Sequence, residues 1–178
     1  MGYYYLGAQL PYLIYGQSPP MSSSNFKALA CEQMSSSDAA LLEYCTLDPD
    51  PDSGTSSALI NRWKEWERAL RLNLARNRAQ KLKREGTIDA PDLPPEAVLA
   101  AKNAMAMESP LEAELLLDKA RWDAIESFQS LDVFSANAMY AYLLKLLLME
   151  RKAMFKTEEG FEEYKGLYAA ILSKTTQA

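Results

Sequence analysis

The sequence predicts an all-α protein: a bundle of about six or seven helices, with one long projecting basic helix and a tyrosine-rich N-terminal arm. Three observations carry that expectation. There are only seven glycines in 178 residues, and helix-favouring Ala, Leu, Met, Glu, Lys and Arg are plentiful. Serine or proline stands ahead of most apolar stretches, where a helix start needs a cap. Within those stretches apolar residues recur at steps of three and four, the spacing of one helix face. Apolar residues at 48% and charged residues at 24% are ordinary for a globular chain of this length, so residues 1–178 read as a single helical domain.

Residues 1–20 read as an extended arm. Tyr3, Tyr4, Tyr5 and Leu6, then Tyr12 to Tyr15, are β-prone, and Gly7, Pro11 and Gly16 interrupt them. This apolar opening is not expected to act as a signal peptide, having no Lys or Arg ahead of it and Pro11 within it. Ser22, Ser23 and Ser24 cap a helix to about residue 34, and Ser35, Ser36 and Ser37 cap a second to about residue 45. The prolines of LDPDPDSGTSS then forbid regular structure.

A long helix is expected over residues 57–84, closed by Gly86. Leu59, Trp63, Trp66, Leu70 and Leu74 form its apolar stripe, which puts Trp63 and Trp66 in the core. The stripe continues into Asn77, Lys81 and Arg84, so the last third has no apolar face and is expected to project. Pro95 starts the next helix, to about residue 107, and Pro110 another, to about residue 127. The latter is apolar on two faces: Leu111, Leu115, Trp122 and Ile125 on one, and Leu116, Leu117, Ala120, Ala124 and Phe128 on the other. A sandwiched helix with Trp122 at the centre of the core follows.

Ser135 caps a helix to about residue 154, apolar all round except for a strip holding Lys145 and Lys152, and so expected at the bundle centre. Its run AMYAYLLKLLLM is too short to span a bilayer. Thr157 caps a last helix with Phe161, Tyr164, Leu167, Tyr168 and Leu172 as its buried stripe, which makes residues 110–174 the core bundle.

Catalytic chemistry finds little to work with. The chain has no histidine, the commonest general base near neutral pH and the commonest metal ligand. No glycine-rich phosphate loop and no GxSxG elbow occur. Asp48, Asp50 and Asp52 alternate as a calcium loop would begin. However, Gly54 comes one position late, and Leu59 fills the slot of the closing glutamate. Glu114 and Asp118 lie one helical turn apart, as an acid–base pair needs. Asp118 also precedes Arg121 by three positions, which makes a structural ion pair the simpler reading. Cys31 and Cys45 form no CxxC motif; a reduced buried pair and a disulfide between two helices both remain open. The expectation is a protein without enzymatic activity, cofactor, metal or small-molecule substrate.

The long helix concentrates charge. Over residues 62–84 nine basic residues face only Glu65 and Glu67, so the segment is +7 and the rest of this −5 chain is −12. The peak lies at Arg76, Arg78, Lys81, Lys83 and Arg84, where the apolar stripe has run out. That end is either a solvated face or a docking surface for an acidic protein, lipid headgroups or nucleic acid. Nucleic acid is the less favoured partner, because aromatic or glycine interleaving is missing.

Three stretches together carry a family resemblance: YYYLGAQLPYL followed by PPMSSSNF; WKEWERALRLNLARNRAQKL; and SPLEAELLLDKARWDAIESF followed by AYLLKLLLMERKAMFKTEEG. The set resembles a family of small bacterial proteins encoded beside the subunits of V-type (V/A-type) ATP synthases, over nearly the whole chain. The resemblance implies a non-catalytic accessory or structural subunit, with the all-helical C subunit as the suggested counterpart. It implies contacts with the central stalk or membrane ring, and a cytoplasmic protein held peripherally at the membrane through the ATPase. The rival class is a helical adaptor that binds nucleic acid or a ribonucleoprotein through the basic helix.

Overall fold

Serine side chains start five of the seven α-helices in the described part of the protein. The computed structural model describes residues 2–50, 54–83, 88–154 and 165. Of these, 68% are helical and none lies in a strand. The Ser22 hydroxyl accepts from the Asn25 N–H and heads α2 (Ser23–Gln33), and that of Ser35 accepts from Asp38 and heads α3 (Ser36–Leu41). Ser57, Ser109 and Ser135 do the same for α4 (Ala58–Lys81), α6 (Pro110–Phe128) and α7 (Ala136–Ala153). Each cap satisfies a backbone donor that the first helical turn leaves without an internal partner. Between them, α5 (Pro95–Ala106) opens on a proline whose missing N–H costs nothing there.

The N-terminus departs from expectation. Instead of a fully extended arm it begins with α1 (Tyr4–Gln9), preceded by a Gly7 N–H to Tyr3 carbonyl bond of 2.9 Å. Spacing decides this against the β propensity of tyrosine. Tyr3, Leu6, Leu10 and Leu13 follow one another at three or four positions and turn inward, while Tyr4 and Tyr5 are 65% and 75% exposed. The Tyr3 hydroxyl donates to Asp38, which ties the arm to α3. Gly7 is needed for close approach, because a Cβ there would meet the Phe134 ring at 2.7 Å.

Helices α4, α6 and α7 enclose the core, with Trp63, Leu70, Ile125, Leu143, Leu144 and Leu146 among its fully buried side chains. Helix α4 packs on α5, α6 and α7, and α7 packs on α2, α4 and α6. Glu150 of α7 accepts from both the backbone N–H and the hydroxyl of Ser23, at 2.6 and 2.7 Å, and so anchors the start of α2. Trp63 is completely buried, its indole N–H donating to the Thr46 carbonyl at 2.8 Å; Trp66 stacks on it at 6.0 Å. Trp122 is 4% exposed, with Tyr15 packed edge-on and the Lys145 ammonium over its ring.

Helix α6 is covered less completely than its two apolar faces suggest. Trp122 and Ile125 are buried, but Leu111 and Leu115 on the same face are 45% and 39% exposed. Among the described residues, that face is buried only in its C-terminal half, at Trp122 and Ile125. Lys145, in the polar strip of α7, keeps only 12% side-chain exposure and pairs with Glu126 at 3.1 Å. The helix expected from Thr157, with its Phe161 to Leu172 stripe, lies outside the described residues.

Candidate interaction surfaces

The two halves of the bundle are joined by a chain of charges. Glu67 on α4 is completely buried, and the Arg121 guanidinium on α6 grips it with bonds of 3.0 and 3.1 Å. Arg71, one turn further along α4, donates to the same carboxylate at 2.8 Å and pairs outward with Asp48. Burial works against the Arg71 charge, but hydrogen bonding and attraction from Glu67, and then Asp48, outweigh it and raise its pKa. On the other side Arg121 reaches Asp118 at 3.5 Å, and Arg151 of α7 closes on Asp118. Three arginines and three carboxylates therefore alternate from the linker through α4 and α6 to α7. The expected Asp118–Arg121 pair is present at 3.5 Å. The closer partner of Arg121 is Glu67, which the charge balance over residues 62–84 shows only as one of two acids. A signal was available: Glu67 lies four residues after Trp63 and three before Leu70, inside the buried stripe.

At the basic end, the five cations of the sequence reading separate into two groups. Arg76 is drawn inward. It donates to Asn73 Oδ1 at 2.6 Å and to the Ala90 carbonyl at 3.3 Å, and pairs with Asp92 at 3.5 Å. Asn73 itself is fully buried and donates to the Pro91 carbonyl at 2.8 Å, so the two residues pin residues 90–92 to α4. Arg78, Lys81 and Lys83, by contrast, are exposed and make no ion pair among the described residues. Lys83 takes the left-handed φ of +50° just beyond the end of α4, and Leu82 beside it is 62% exposed. Burial along α4 ends at Leu74, as the stripe predicts. Arg84 lies outside the described residues.

The remaining candidates have structural neighbours. Asp118 is buried and bonded to two arginines, whereas Glu114 is exposed, so their spacing on α6 does not bring them into one site. Asp48 is occupied by Arg71, and Asp52 lies outside the described residues. Among the described residues no group of three or more His, Cys, Asp or Glu side chains is arranged to hold a metal ion. The cysteines are unbridged: Cys45 is buried, with its thiol pushed up to about 12 chiefly by that burial, and Cys31 is exposed rather than buried.

Set against known proteins, the chain matches no family model, no curated protein and no solved structure.

Proposed function

We propose that the protein is a non-catalytic accessory or structural subunit that docks on an acidic neighbour through the exposed end of α4. The family resemblance names a V-type ATP synthase as the assembly, with its central stalk or membrane ring as the neighbour. The observation that carries the docking reading is the group Arg78, Lys81 and Lys83, exposed and without ion pairs among the described residues. They extend past Leu74, where α4 stops burying side chains. A helix end with no intramolecular face gains little from being long, so its length and charge suit an external partner. Behind it, Glu67 and Arg121 tie α4 to α6, and Arg76 ties α4 to residues 90–92. Cross-bracing of this kind suits a spacer. The pairing of Asp118 with two arginines also supports a structural use of that carboxylate. No helix among the described residues is long and apolar enough to cross a membrane.

The test is binding of the purified chain to purified stalk and ring subunits over a salt series, beside a random DNA duplex. Docking predicts binding to at least one subunit that weakens as salt rises. Tight duplex binding with a steep salt slope and no subunit binding would instead establish the nucleic-acid adaptor.

A further inference from the structure

A groove of about 1140 Å³ runs between α4, α6 and residues 89–96. Its size exceeds the ~300–1,000 Å³ of ordinary small-molecule sites, which leaves room for a chain segment. Trp66 and Phe128 line it, together with the small Ala120 and Ala124 of α6. Acidic residues outnumber basic ones around it. Glu65, Asp89 and Glu96 make no ion pair among the described residues, and Asp123 is held by Lys119. The basic side chains on the lining are Arg62 and Arg68. Arg62 already lies over the Phe128 ring, its guanidinium carbon 4.8 Å from the centroid. The chain's own side chain therefore shows that the Phe128 face accommodates a cation.

We propose that the groove is a second docking surface, taking a basic segment of a partner protein that alternates apolar side chains with Lys or Arg. Apolar side chains of the segment enter between Trp66, Ala124 and Phe128, and its cations lie against Glu65 and Glu96. This extends the binding-module reading to a second surface of opposite charge. A spacer with one basic end and one acidic groove joins an acidic neighbour to a basic one.

The test is a nuclear magnetic resonance titration of the 15N-labelled full chain with a 12-residue synthetic peptide alternating Lys and Leu. A Glu–Leu peptide of the same length and spermine serve as comparisons. The Lys–Leu peptide is expected to shift the Trp66 indole signal and the amides of Ala124 and Phe128, more weakly as salt rises. Glu65→Gln with Glu96→Gln should weaken it about 2- to 30-fold, the effect of two exposed charges. Arg62→Ala removes a repelling cation and frees the Phe128 face, so it should tighten binding about two- to five-fold. Each variant is first checked for an unchanged melting temperature. Equal binding of the Glu–Leu peptide, shifts that map away from the groove, or the same shifts with spermine alone would each overturn the proposal. Failure of stalk and ring subunits to bind would overturn the ATPase reading and leave these results standing.

Discussion

Glu67 and Arg121, 54 positions apart in the chain, form a two-pronged ion pair whose carboxylate has no exposure to solvent. A buried pair of this kind contributes little net stability over an apolar replacement, yet removing one member strands the other. Glu67→Ala is therefore expected to cost about 3–5 kcal/mol in urea unfolding, because Arg121 keeps its charge in a dry site with only the longer 3.5 Å contact to Asp118 left. Glu67→Leu combined with Arg121→Met should recover most of that loss. Arg71 then still has Asp48, and Asp118 still has Arg151. A double variant as unstable as the single one would mean that the network is needed for more than mutual neutralisation.

Trp122 offers a core test without charge. Its ring meets Tyr15 edge-on and lies under the Lys145 ammonium, and its indole N–H donates to Glu126 at 2.9 Å. Truncation to Ala should cost about 3–5 kcal/mol, read as a lower urea midpoint with an unchanged slope. Leu111→Ala, on the same face but 45% exposed, should cost far less. Comparable losses at both positions would contradict the partial covering of α6.

The two classes of cation at the end of α4 should respond oppositely. Arg76→Ala removes the bonds to Ala90 and Asn73, and should lower stability by about 1–3 kcal/mol while loosening residues 90–92. Arg78, Lys81 and Lys83 changed together to Glu should leave residues 90–92 held and the fold intact, at a cost of about 0.6–3 kcal/mol summed over three exposed charges at the helix end. The same triple variant should sharply reduce association with an acidic partner, most of all at low salt. Backbone hydrogen exchange and a binding titration on the same samples separate the two outcomes.

Alkaline conditions probe the buried acids. Burial raises the Cys45 thiol and the Tyr142 hydroxyl each to about 12; burial first, and then Asp38, also raises Tyr140. Groups with raised folded pKa values hold their protons more tightly folded than unfolded. Their stabilising contribution is complete below the ordinary values of 9.0 for Cys and 10.0 for Tyr, and is lost as pH climbs toward the folded values. The melting temperature should therefore fall between about pH 9 and pH 12, with tyrosinate absorbance rising as the chain unfolds. In Tyr142→Phe, which also loses the bond to the Pro11 carbonyl, the decline should be shallower. A flat profile across that range would exclude these groups as the alkaline trigger.

Sequence by itself determined the helices that start on local chemistry. A serine hydroxyl bonds a backbone N–H three residues ahead, so Ser22, Ser35, Ser57, Ser109 and Ser135 announce their helices within a few positions. The burial of Trp63, Trp66 and Leu70 was equally legible, because helical spacing alone puts them on one face. Tertiary structure decided whatever depends on a partner far along the chain. The tyrosines of the arm carry a β preference, but Leu6 in the core and the Tyr3 hydroxyl at Asp38 hold that stretch as helix. Arg121 has an acid three positions away, yet its best geometry is to Glu67 on another helix. Arg76 and Arg78 carry the same charge, yet Arg76 alone is held inward, by Asn73 on its own helix and by residues 90–92 folded back across it. Local hydrogen bonds are selected by sequence distance, whereas ion pairs and exposure are selected by which surfaces meet once apolar burial has brought the helices together.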